Sequence, residues 1–156
     1  MRVASFDIVF QEIPGEVTLA LNLSGCPCHC PGCHSQHLWE DIGEPLDASL
    51  IDDLLARYGS MITCVCFMGG DQDPEEVARL AQNIKSSITN HQLPLKVAWY
   101  SGRMNFPAKD VFDYVKLGPY IEALGGLKSP KTNQRLYKRV GDEWQDITSS
   151  FWHTIC

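Results

Sequence analysis

Residues 16–35 read EVTLALNLSGCPCHCPGCHS. The first half alternates, with Val17, Leu19, Leu21 and Leu23 on one side, which is the period-two pattern of a strand. The second half is a loop broken by Gly and Pro that carries four thiols within eight residues: Cys26, Cys28, Cys30 and Cys33. A thiol-rich loop at the C-terminal end of a strand is where parallel α/β folds hold their ligands. The remaining cysteines are Cys64, Cys66 and Cys156, seven in all. An odd count with no secretory layout argues against a disulfide framework and for metal or redox chemistry. Cys64 and Cys66 lie in ITCVCFM, where small buried hydrophobes suffice to explain them.

Downstream, the period changes. Residues 47–58 put Leu50, Ile51, Leu54, Leu55 and Tyr58 on one helical face, with Asp47 as cap and Gly59 as stop. Residues 61–68 are a continuous apolar run, as in a strand covered on both faces. Asp73 then precedes Pro74, an N-cap before proline at the first helical position. Glu76, three residues on, predicts a capping box. That helix carries Val77, Leu80, Ala81, Ile84 and Ile88 on one stripe. Residues 95–100 form a third strand, 108–112 a short helical stretch, and 113–117 a fourth strand. Such alternation predicts parallel βαβ units with right-handed crossovers. Residues 118–134 read as a loop or lid, and RLYKRV followed by GDEW as a strand entering a hairpin.

Composition narrows the class. The chain has 156 residues, 44% apolar and 21% charged, which fits one globular domain. A complete eight-unit barrel needs about 250 residues, so only a partial one is expected. Thirteen basic against nineteen acidic residues give a net charge of −6, which disfavours nucleic acid as a partner. No apolar run reaches the roughly 18 residues that would span a membrane, and no signal-peptide layout is present, so a cytoplasmic location is expected.

Several spacings run through the loop. Cys30-x-x-Cys33 suits zinc or thioredoxin-like chemistry, and His29, His34 and His37 are available nitrogen donors. The zinc reading lacks a well-spaced second pair, since Cys64 and Cys66 are one residue apart. The other spacing, Cys26-x3-Cys30-x2-Cys33, is the signature that the radical SAM superfamily carries, and the chain resembles that superfamily. The resemblance implies a truncated, partly open (β/α) barrel of parallel strands over residues 1–140, with 141–156 as a tail that packs on it or extends it. It implies a 4Fe-4S cluster held by Cys26, Cys30 and Cys33, with one iron left open for S-adenosylmethionine (SAM) and Cys28 between the ligands. No catalytic residue beyond the cluster ligands is implied. Gly69-Gly70-Asp71 resembles the element that binds the SAM amino group, and Ser101 falls where a hydroxyl reaches the ribose or carboxylate. Gly32, Cys33 and His34 are implied as backbone contacts to adenine.

Within the superfamily, GCPCHCPGCHSQHLW, with Trp39 at the matching place, and Asn133-Gln134 before a last strand resemble the activating proteins of anaerobic ribonucleotide reductase. The chain departs from them at Ser35, Leu117 and residues 129–132. The resemblance implies that a flavodoxin or ferredoxin delivers one electron through the cluster to the sulfonium of SAM. Cleavage then yields methionine and a 5′-deoxyadenosyl radical, which takes a hydrogen atom from a glycine of a large glycyl-radical enzyme, the anaerobic reductase. Two alternatives remain at this stage: a radical SAM enzyme acting on another partner or a small molecule, and a non-catalytic Cys-rich zinc or Fe-S module. The basic stretch Lys128, Lys131, Arg135, Lys138 and Arg139 reads as a solvated face or a docking patch. Trp144, Phe151 and Trp152 read as packing for the tail or as a partner-facing patch.

Overall fold

The computed structural model describes all residues except 33–35, 92, 108–109 and 153–156, and the side chains of 37, 90 and 91. Two of the seven cysteines, Cys33 and Cys156, and the expected adenine contact His34 therefore lie outside the described residues.

Eight strands form one sheet: β1 (Arg2–Val9), β2 (Thr18–Leu23), β3 (Glu44–Pro45), β4 (Cys64–Met68), β5 (Lys96–Tyr100), β6 (Tyr114–Leu117), β7 (Arg135–Val140) and β8 (Glu143–Asp146). Their order is β3-β1-β2-β4-β5-β6-β7-β8. The central four, β2, β4, β5 and β6, are parallel. The outer four join antiparallel, so the expected parallel strands form the centre of a mixed sheet. Among the described residues the edge strands β3 and β8 do not meet, and the sheet is open. The tail contributes β8, which pairs with β7, and Trp144, which stacks on Phe106 with centroids 5.5 Å apart.

Helix α1 (Ala48–Tyr58) starts where its cap directs: Asp47 accepts the Leu50 N–H, and Gly59 closes the end. Helix α2 (Pro74–His91) starts after Asp73, whose carboxylate accepts the Glu76 N–H at 3.2 Å. The reciprocal half of the expected capping box is absent, because the Glu76 carboxylate turns to Arg79. Both helices bury Leu and Ile against Leu19, Leu21, Leu23, Val65, Phe67, Val97 and Trp99 on one sheet face. Burial of each such side chain contributes about 1.5–3 kcal/mol. The opposite face carries Cys64, Cys66, Ala98, Tyr114 and Leu136, packed with Ile13. Cys64 and Cys66 are fully buried there, as an apolar strand requires.

The third crossover differs from expectation. Residues 110–112 are not helical. Phe112 instead stacks on Trp99, with centroids 5.6 Å apart. Asp113 turns its carboxylate to the Val97 N–H and to Lys85. These contacts pull the segment flat onto the sheet.

Candidate iron-sulfur site

Parallel pairing brings the C-terminal ends of β2, β4, β5 and β6 to one edge. The segments that leave those ends, together with Gln134 before β7, surround a cleft of about 200 Å³. Its lining includes Cys26, Cys28, Cys30, Gly69, Asp71 and Lys116.

The thiol loop is closed at its neck by main chain. The Gly25 N–H donates to the Glu40 carbonyl at 3.0 Å, and the Cys26 N–H to the Leu38 carbonyl at 2.9 Å. Gln72, just past the Gly-Gly-Asp turn, donates to the Ser24 carbonyl and ties the loop to β4. Within the loop His29 adopts a positive φ of 44° and stacks on Trp39, with centroids 4.4 Å apart. Its ring is thus used for packing. The expected adenine contact Gly32 is exposed, with a φ of 75°.

The Gly-Gly-Asp turn is built from tight approach. Gly70 has a φ of 88°, and a Cβ there would lie 2.6 Å from Val77 and 2.9 Å from Leu23. Only glycine fits this combination. Gly69 lines the cleft, and its carbonyl accepts from the Trp99 indole at 2.7 Å. Asp71 is 1% exposed. Its carboxylate accepts from the Ser101 hydroxyl at 2.5 Å and from the Gly102 N–H at 2.8 Å, and Arg103 stands 3.8 Å away. Arg103 also donates to the Asp71 carbonyl. Ser101 is fully buried, accepts in turn from the Arg103 N–H, and is not among the cleft-lining residues. Its hydroxyl orients Asp71, a role nearer the turn than the ligand contact expected of it.

Cys26, Cys28 and Cys30 are half-buried free thiols. The sulfurs of Cys26 and Cys28 and a carboxylate oxygen of Asp71 lie within 4.8 Å of one another. Burial, reinforced by the negative charge of Asp71 and by Cys26, pushes the Cys28 thiol up to about 12. Cys28 also fills the space over Gly102, where a Cβ would lie 2.7 Å from its sulfur. A position expected to be a small loop residue therefore faces the cleft.

The residues missed in the sequence are Lys116 and Tyr100. Lys116 lines the cleft at 8% exposure, and its ammonium donates to the carbonyls of Ser101 (2.9 Å) and Gly118 (3.0 Å). Burial pushes its pKa down. The Tyr100 ring lies 5.7 Å from its nitrogen. Gln134, read only as a branch marker, lines the same cleft. The basic stretch is partly spent on ion pairs: Arg139 meets Asp110 at 2.6 Å and Arg135 meets Asp146 at 3.7 Å.

A family model described as a 4Fe-4S single cluster domain matches residues 14–114, more than half of the chain. The chain belongs to the 4Fe-4S single cluster domain family. No curated protein and no solved structure gives a significant match. For a 4Fe-4S single cluster domain the donor set fits. Thiolate sulfur is the ligand iron-sulfur clusters take, and three uncrosslinked thiols line one cleft. The fourth loop thiol, Cys33, lies outside the described residues. No helix among the described residues is long and apolar enough to cross a membrane.

Proposed function

We propose that the chain is a radical SAM activating enzyme that generates a glycyl radical on a large partner, the anaerobic ribonucleotide reductase. Cys26, Cys30 and Cys33 hold the cluster, and SAM occupies the cleft beside it. The observation that carries this reading is the meeting of the thiol loop, the Gly69-Gly70-Asp71 turn and the Ser101-Gly102 segment around one cleft at the ends of four parallel strands. The open sheet is read as a truncated barrel whose gap admits the partner's glycine loop. The cluster supplies the single electron that splits the sulfonium C–S bond of SAM.

The chain's own residues bind and orient. Gly69 presents backbone without a side chain to the ligand. Asp71, held by Ser101 and Gly102 and paired with Arg103, fixes the Gly69-Gly70-Asp71 turn that receives the SAM amino group. The apolar walls Leu23, Leu38 and Trp39 exclude water from the cleft. A flavodoxin or ferredoxin serves as donor, in the cytoplasm.

The test is to mix the anoxically reconstituted, reduced protein with SAM and the reductase. The expected result is 5′-deoxyadenosine together with a glycine-centred doublet in the electron paramagnetic resonance (EPR) spectrum. 5′-Deoxyadenosine without the doublet assigns the enzyme another substrate. A cluster spectrum that SAM leaves unchanged overturns the radical SAM reading.

One observation favours a second reading. Cys28 lies close enough to Cys26 to complete a four-thiolate electron-transfer centre. A cluster indifferent to SAM in the wild type, and made responsive by Cys28→Ala, supports it.

A further inference from the structure

The charges around the cleft do not cancel. Asp71 spends its carboxylate on Ser101, Gly102 and Arg103, so its charge is met by a guanidinium. Lys116, buried on the inward side of β6, has no carboxylate within ion-pair distance among the described residues. Its acceptors are two main-chain carbonyls, and the nearby ring of Tyr100 adds a weak attraction. The ionisable groups that act on it are Asp71, Cys28, Cys30 and Cys66. Two of these are thiols of the cluster loop.

Packing does not call for this residue. A buried charge is costly, and an apolar side chain of similar volume is often as stable or more so. Two carbonyl bonds explain a donor at this place but not a full positive charge. Beyond the pull of Asp71, which is itself paired with Arg103, what uses the charge is an anion delivered to the cleft. A thiolate-held iron-sulfur cluster is anionic and gains one negative charge on reduction. A cation fixed in low dielectric beside it favours the reduced state over the oxidised one.

We propose that Lys116 is the counter-cation of the iron-sulfur cluster and raises its reduction potential. This rests on the cluster alone and not on SAM chemistry. It is a tuning role, exerted through space.

The full chain is reconstituted without oxygen, and the cluster is titrated with dithionite and mediators while reduction is followed by EPR. Lys116→Gln keeps a donor for the two carbonyls and removes the charge. At a fixed ambient potential its ratio of reduced to oxidised cluster is expected to fall about tenfold, equivalent to about 59 mV for a one-electron couple. Lys116→Arg keeps the charge and is expected to stay within about twofold of wild type. A Lys116→Gln protein that titrates with the wild type overturns the proposal. So does an unmoved potential with weakened SAM binding, which would give Lys116 to the carboxylate of the nucleoside. If Lys116→Gln folds but loads no iron while Lys116→Arg loads fully, the charge role stands. Loss of iron from both variants assigns Lys116 to packing instead and overturns it. A wild type that holds a cluster but never cleaves SAM defeats the proposed function and leaves this inference intact.

Discussion

At the N-terminal edge of the parallel strands, Lys96 meets Glu16 at 2.7 Å, and the same carboxylate accepts from Thr63 at 2.5 Å and Tyr114 at 3.0 Å. At the C-terminal edge, Lys116 donates to two main-chain carbonyls, lies by the Tyr100 ring and pairs with no carboxylate among the described residues, and three thiols stand unlinked around a cleft. Both edges bring a lysine to the end of a central strand. One edge satisfies its charge within the chain, while the other holds the thiols of a 4Fe-4S domain and the lysine that we assign to its cluster. The contrast separates groups that hold the fold from groups that do chemistry, and it is open to direct attack.

The largest expected effect is at the reactive edge. Cys30→Ala should abolish cluster retention, read as iron per chain and visible absorbance after anoxic reconstitution, with the urea unfolding midpoint of the metal-free protein hardly moved. Full iron loading in this variant would break the assignment of that edge to chemistry. Glu16→Ala should do the reverse. It leaves the Tyr114 hydroxyl without its acceptor and Thr63 with the Val17 carbonyl at 3.3 Å, and hydrogen bonds to charged groups are worth about 1.5–3 kcal/mol. Lys96 is 45% exposed and can be rehydrated, so its ion pair adds little. A loss of about 2 kcal/mol in urea unfolding is expected, with iron loading unchanged.

The smallest effect sharpens the same contrast through pH. Burial alone would push the Glu16 carboxyl up, but hydrogen bonds from Lys96, Thr63 and Tyr114 outweigh it and hold the pKa below the ordinary 4.5. A carboxyl with a depressed folded-state pKa stabilises above its unfolded pKa, and that stability is lost as the pH falls through the lower folded value. Wild-type unfolding free energy should therefore decline below about pH 4.5, and Glu16→Gln should decline less steeply. Parallel curves for the two proteins would remove the charge from the account of this edge.

The sequence made different parts of this molecule legible for physical reasons. Helices α1 and α2 announce themselves through caps and stripes, and both begin where Asp47 and Asp73 place them. Strand β1 alternates at Ala4, Phe6 and Ile8 against Ser5 and Asp7, but Phe6 is exposed and the strand is mostly unburied, so the pattern marks no core face. Strand β3 is two residues long and carries no period at all. In the site, the density of thiols around Cys26 and the Gly69-Gly70-Asp71 turn stood out as patterns. Lys116 did not, because a polar residue between Val115 and Leu117 reads as the solvent side of a half-covered strand. Only the sheet shows that this side faces the cleft. Ser101 was legible as a site residue, but its engagement with Asp71 depends on a βα unit that the sequence separates by thirty residues.

The main-chain neck of the thiol loop bears on how the protein survives damage. Because Gly25 and Cys26 already bond to Glu40 and Leu38, closing that loop costs no further chain entropy when a cofactor enters. Protein that has lost its cluster to oxygen is therefore expected to reload from iron and sulfide without a denaturation step, read as iron per chain after anoxic reconstitution.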